Sequence, residues 1–206
     1  MKNNLLRAAS MMLLVIIIGV AITPICVNAS AKNGTFKAYR KWLQNTPEGY
    51  NYFALIYIDN DGTPELVAKN DGYDEYGTSE YILCGCKNGK IQSLAFSDGD
   101  SFSSGYRSSA SFIPKKNKVY NGHMYGGNGE GEDGIFKLND NGFQEVEKGK
   151  YDYKEMFFSW NGKTMTENEY NSCFTKAYDS NSAKGFWKIK YYTKEEIIKK
   201  IDQKMN

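Results

Sequence analysis

Residues Tyr52–Ala68 read YFALIYIDNDGTPELVA. The run Tyr52–Ile58 is rich in aromatic and β-branched residues and too short for a buried helix, so it predicts a strand. Asp59-Asn60-Asp61-Gly62 stops that strand with turn residues. Pro64 has no N–H to give to a ladder, so pairing resumes only at Glu65-Leu66-Val67-Ala68. The stretch is therefore a strand, an acidic turn and a second strand.

Working outward, Thr35–Asn45 predicts a helix with Phe36, Tyr39, Arg40 and Leu43 spaced along one stripe, closed by Pro47 and Gly49. After the organising pair come candidate strands at Ser79–Lys87, Lys90–Phe96, Ser108–Pro114, Lys118–Tyr125, Ile135–Leu138, Phe143–Val146 and Tyr151–Trp160. Asn88-Gly89, Asn141-Gly142 and Asn161-Gly162 are hairpin dipeptides, because Asn and Gly accept the positive φ of a tight primed turn. Thr166-Glu167-Asn168-Glu169 and Thr193-Lys194-Glu195-Glu196 have the capping-box form that opens a helix. The order predicts an α+β fold, an antiparallel β-sheet meander with an N-terminal helix and two C-terminal helices.

Asp59, Asp61 and Glu65 put three carboxylates within seven residues, and such groups repel unless solvent or a cation lies between them. A hard cation prefers several oxygens from a short turn, with glycine at its tightest point. Asp59, Asp61, Gly62 and Glu65 match positions 3, 5, 6 and 9 of a DxDxDGxxE loop, whereas Tyr57 stands at position 1 and Ala68 at position 12. The missing terminal Glu excludes a helix-flanked EF-hand. The expectation is a structural Ca2+ held by Asp59, Asp61 and Glu65; the plainer alternative is a turn capped by its own side chains.

These residues, FALIYIDNDGTPELV, resemble the "D-I-D-x-D-G-x-P-E-L" segment of uncharacterised secreted and lipoprotein-like domains of clostridial and related Gram-positive bacteria. In that family a helix precedes the segment, β-hairpins follow, and an "NGK" segment with acidic and aromatic residues comes near the C-terminus. Asn161-Gly162-Lys163 with Glu167, Glu169 and Tyr170 is the counterpart here. Tyr57 replaces the family's first Asp. The resemblance implies an extracellular domain and no particular chemistry.

Residues 1–29 have the plan of a secretory signal peptide: Lys2 and Arg7, an apolar stretch Met11–Ile22, then small residues with cleavage sites near Ala29 and Ala31. The remaining residues, 32–206, are read as a single extracellular α+β domain, with the membrane involved only through the signal peptide. Lys2 and Arg7 belong to the leader, so 24 of the 26 basic residues remain, against 24 acidic ones. That balance gives no basic field for nucleic acid and no polybasic helix for anionic lipid. Cys26 falls in the leader; Cys84, Cys86 and Cys173 remain, an odd set with one histidine, His123, too few ligands for zinc; pairing of one of the first two with Cys173 is open, and the plainer reading is buried, reduced thiols.

Gly126–Gly134, GGNGEGEDG, is too acidic to cradle phosphate and reads as a mobile loop. His123 lies in no nucleophile motif and reads as a partly exposed polar residue. Aromatic residues make up 15% of the chain, and Tyr106, Tyr125, Trp160 and Trp187 are candidates for a face that stacks on sugar or cell wall. The expected function is a non-enzymatic extracellular binding module for a glycan, cell-wall or protein ligand. The rival is a small secreted hydrolase of cell-wall or host glycans or peptides.

Overall fold

The computed structural model describes residues 31–70, 78–100, 106–126 and 129–205. The segment read as a signal peptide lies outside the described residues, as do residues 71–77.

The fold is α+β, as the hairpin succession predicts. Helix α1 covers residues 31–44. Ten strands follow in meander order, each antiparallel to the next: β1 Tyr50–Ile56, β2 Glu65–Asn70, β3 Ser79–Lys87, β4 Lys90–Asp100, β5 Arg107–Ile113, β6 Lys118–Tyr125, β7 Glu130–Asn139, β8 Gly142–Asp152, β9 Phe157–Trp160 and β10 Lys163–Met165. Helix α2 is Glu167–Ala177, a short β11 at Lys184–Gly185 pairs with β5, and α3 is Lys194–Met205. Thr166 opens α2 with the full capping box, its hydroxyl accepting from Glu169 N–H while the Glu169 side chain accepts from Thr166 N–H.

Strand alternation sorts the side chains into three cores. Phe53, Leu66, Ala68 and Cys84 face Phe36, Tyr39 and Leu43 of α1 and Ile197 and Ile201 of α3. The opposite face of the same strands, with Ala54, Val67, Tyr81 and Leu83, packs on Ala110, Phe112 and Val119 from β5 and β6 and on Phe186. The far side of the later strands, with Ile135, Phe158 and Trp160, is covered by Tyr170 of α2 and by Tyr178 just beyond it. The meander is thus folded over a shared middle core, with α1 and α3 on one outer side and α2 on the other.

Several boundaries differ from the sequence reading: α1 starts by residue 31 and β8 runs six residues past Val146. β4 continues past Phe96 to Asp100, through residues whose Ser/Asp/Gly composition predicted a loop. β7 begins at Glu130, inside the glycine-rich segment. Gly131 is paired in the sheet there, and the position takes glycine because the Tyr151 ring lies where a β-carbon would stand. Tyr151–Trp160 is not one strand: β8 runs to Asp152, β9 starts at Phe157, and residues 153–156 turn between them.

Candidate functional site

The turn between β1 and β2 brings Asp59, Asp61 and Glu65 together, each offering a carboxylate oxygen within 4.8 Å of the others. Local bonds shape the turn. Asp59 Oδ1 accepts from Asp61 N–H at 3.1 Å, and Asp61 Oδ1 accepts from Thr63 N–H at 2.7 Å. Gly62 sits at φ 77°, the left-handed region that costs a glycine nothing. Glu65 is 2% exposed and its Oε2 accepts from Ile58 N–H at 2.9 Å.

Lys87, at the end of β3, completes the cluster. Its Nζ donates to Asp59 Oδ2 at 2.9 Å and to Asp61 Oδ2 at 2.8 Å. Sheet register puts it there. Leu66 pairs with Cys84, so the next residues along β3 run beside the turn. Lys32 of α1 is a second cation nearby, its Nζ 3.5 Å from where a β-carbon on Gly62 would lie. Sequence reasoning missed Lys87, because only strand pairing brings together residues this far apart in the chain.

The electrostatics follow from burial and these partners. Burial pushes the Glu65 carboxyl up to about 8, with the Asp59 and Asp61 charges adding to the rise against the Ile58 bond. Burial alone would raise Asp61 as well, but bonds from Lys87 and Thr63 outweigh it and hold Asp61 below the usual carboxylate range. Burial opposes the Lys87 charge, yet its bonds to Asp61 and Asp59 raise its pKa above the ordinary lysine value. A cation with oxygens at about 2.3–2.6 Å spans roughly 5 Å between opposite ligands, so the cluster has the dimensions to hold a metal ion.

A second feature is the open face of β6–β9. Registers align Tyr125, Glu130, Asp152 and Phe157 in one cross-strand row, and Ser108, His123, Glu132 and Lys150 in the next. Directly opposed residues share a face, so both rows look the same way. Tyr125 is 47% exposed and Phe157 42%. Together with Glu130, Glu132, Lys150 and Asp152 they line a shallow depression of about 230 Å³. Lys150 and Lys148 hold Glu132 at 2.8 and 2.9 Å, and these bonds keep its carboxyl below the usual range.

His123 is half-buried, and its Nδ1 lies 2.7 Å from the Tyr106 hydroxyl. Burial lowers its pKa, against the pull of Glu132 and Asp133. The rings of Tyr106, His123 and Tyr125 lie about 6 Å apart in succession. Of the four proposed aromatic ligands, Tyr106 and Tyr125 therefore meet. Trp160 does not join them: it is buried against Tyr170, with its Nε1–H donating to Glu147. Trp187 is exposed but lines a separate depression with Lys69 and Asp98. Cys84, Cys86 and Cys173 are free thiols.

Compared with protein families, curated proteins and solved structures, the chain matches none.

Proposed function

We propose that the chain is a secreted, non-enzymatic binding module whose open β6–β9 face takes a glycan of the cell envelope or its surroundings. One observation carries this reading. Tyr125 and Phe157 flank a shallow depression whose floor carries Glu130, Glu132, Lys150 and Asp152. Aromatic faces stack on the apolar face of a sugar ring, and paired carboxylates and ammonium groups hydrogen-bond its hydroxyls. Glu132 on this face is poorly suited to donate a proton, because two lysines hold it ionised. The acid pushed towards neutral pH, Glu65, lies in the β1–β2 turn instead. Export rests on the residue pattern of 1–29.

The Asp59–Glu65 turn serves this module as scaffold. In our reading its metal is Ca2+, taken by Asp59, Asp61 and Glu65 and joining β1 to β2.

The test is sedimentation of residues 32–206 with insoluble peptidoglycan, alongside titration with N-acetylglucosamine oligomers. Each lost stacking partner weakens affinity by about 1 kcal/mol, so Tyr125→Ala with Phe157→Ala should lower affinity about tenfold or more. Binding that ignores both changes removes the reading. The hydrolase alternative is favoured by His123 beside the Tyr106 hydroxyl. Release of soluble fragments over time, lost in His123→Ala, would establish it instead.

A further inference from the structure

We propose that Lys87 decides whether the β1–β2 turn takes a metal ion: its ammonium stands in the cation's place, and a divalent ion enters only by displacing it. Asp59 Oδ1 and Asp61 Oδ1 each accept a backbone N–H from within the turn. The other oxygens of Asp59 and Asp61, the two Oδ2 atoms, lie 2.9 and 2.8 Å from Lys87 Nζ, so two of the three carboxylates gathered at the turn already hold the ammonium. Metal and ammonium therefore compete for the same atoms.

The lysine is placed by a different element from the acids. It ends β3, whose pairing with β2 is fixed by Leu66 opposite Cys84 and Val67 opposite Leu83. Its side chain is only 18% exposed, against 10% for Asp59. A tethered cation of this kind is present at high effective concentration and gives up no translational freedom on binding, so it is a strong competitor. One ammonium thus offsets part of the charge of Asp59 and Asp61 before any ion arrives. This inference deepens the reading of the turn as a cation site and does not depend on what the open face binds.

Calorimetric titration with CaCl2 of the wild type and of Lys87→Met tests it, with thermal melts of both at each Ca2+ level. The methionine keeps the aliphatic length and removes the charge. The variant should bind Ca2+ about tenfold tighter or more, and its melting point should rise more steeply with Ca2+, since a ligand of the native state stabilises by mass action. If the wild type binds no Ca2+ at millimolar levels while the variant does, the inference stands and the Ca2+ reading of the native turn falls. Equal binding by both overturns the inference and leaves that reading in place. Binding by neither overturns both. Should Lys87→Met fail to fold with and without Ca2+, Lys87→Arg keeps a cation in place and must bind Ca2+ no better than wild type. Tighter binding by it would sink the inference.

Discussion

Glu65 illustrates how one residue carries a pH dependence. Its carboxyl is 2% exposed and pushed up to about 8, against about 4.3 in an unfolded chain. The folded state therefore holds this proton more tightly than the unfolded state. The associated stability is fully present below the unfolded value. It declines as pH rises and is gone once the pH has passed the folded value of about 8. Melting temperatures across pH 5 to 9 should fall for the wild type. Glu65→Gln keeps an acceptor for Ile58 N–H and has no proton to lose, so its curve should be flatter over the same window. An equally steep fall in the variant would assign the dependence to another group. Asp133 shows the other way to bury a carboxylate: Tyr120 and Tyr170 hydroxyls donate to its two oxygens at 2.7 and 2.6 Å. Both donors are supplied by the aromatic core itself, so the carboxylate is satisfied without a basic partner.

Among the elements, α2 depends on how closely it approaches the sheet. Gly149 of β8 has the Tyr170 hydroxyl and the Trp160 ring where a β-carbon would go. Its missing side chain lets Tyr170 reach Asp133 from the helix. Gly149→Ala should cost about 1–3 kcal/mol, because an extra carbon in a filled core forces its neighbours off their rotamers. Urea denaturation checks the value, and a change within 0.5 kcal/mol, the size expected of an unconstrained surface site, would show that the helix can lift away freely. The same close packing explains why the first half of β7, Glu130–Gly134, was unreadable as strand while Ile135–Leu138 was legible. GGNGEGEDG has turn composition, yet Gly131 pairs with Tyr151 and lies under its ring. Glycine there is a clearance for an aromatic residue from the neighbouring strand, which no local propensity reports.

For the whole molecule, the middle core joins the early and late strands, since Val67 and Leu83 share it with Phe112 and Val119. Trp42 packs beside α1's core and Trp160 lies in the core under α2, at opposite ends of this arrangement. Variants that keep only one of these two tryptophans should unfold at the same denaturant midpoint by fluorescence, because the shared core couples the halves. Two separate midpoints would mean that each half holds its own stability.

The sequence alone determined the class of fold. Alternation of apolar residues, the Asn-Gly hairpins and the capping boxes are local signals, and they placed α1, most of the strands, α2 and α3 correctly. It also brought out Asp59, Asp61 and Glu65, because a turn gathers residues that are already neighbours in the chain. Tertiary structure alone decided that the sheet folds over a common core, that β4 and β7 extend through polar and glycine-rich residues, and that Trp160 is buried while Tyr125 and Phe157 look outward. It alone brought Lys87 to the acids. Strand register sets those relations between distant segments, and register depends on the packing of many side chains at once, which no short window of sequence contains.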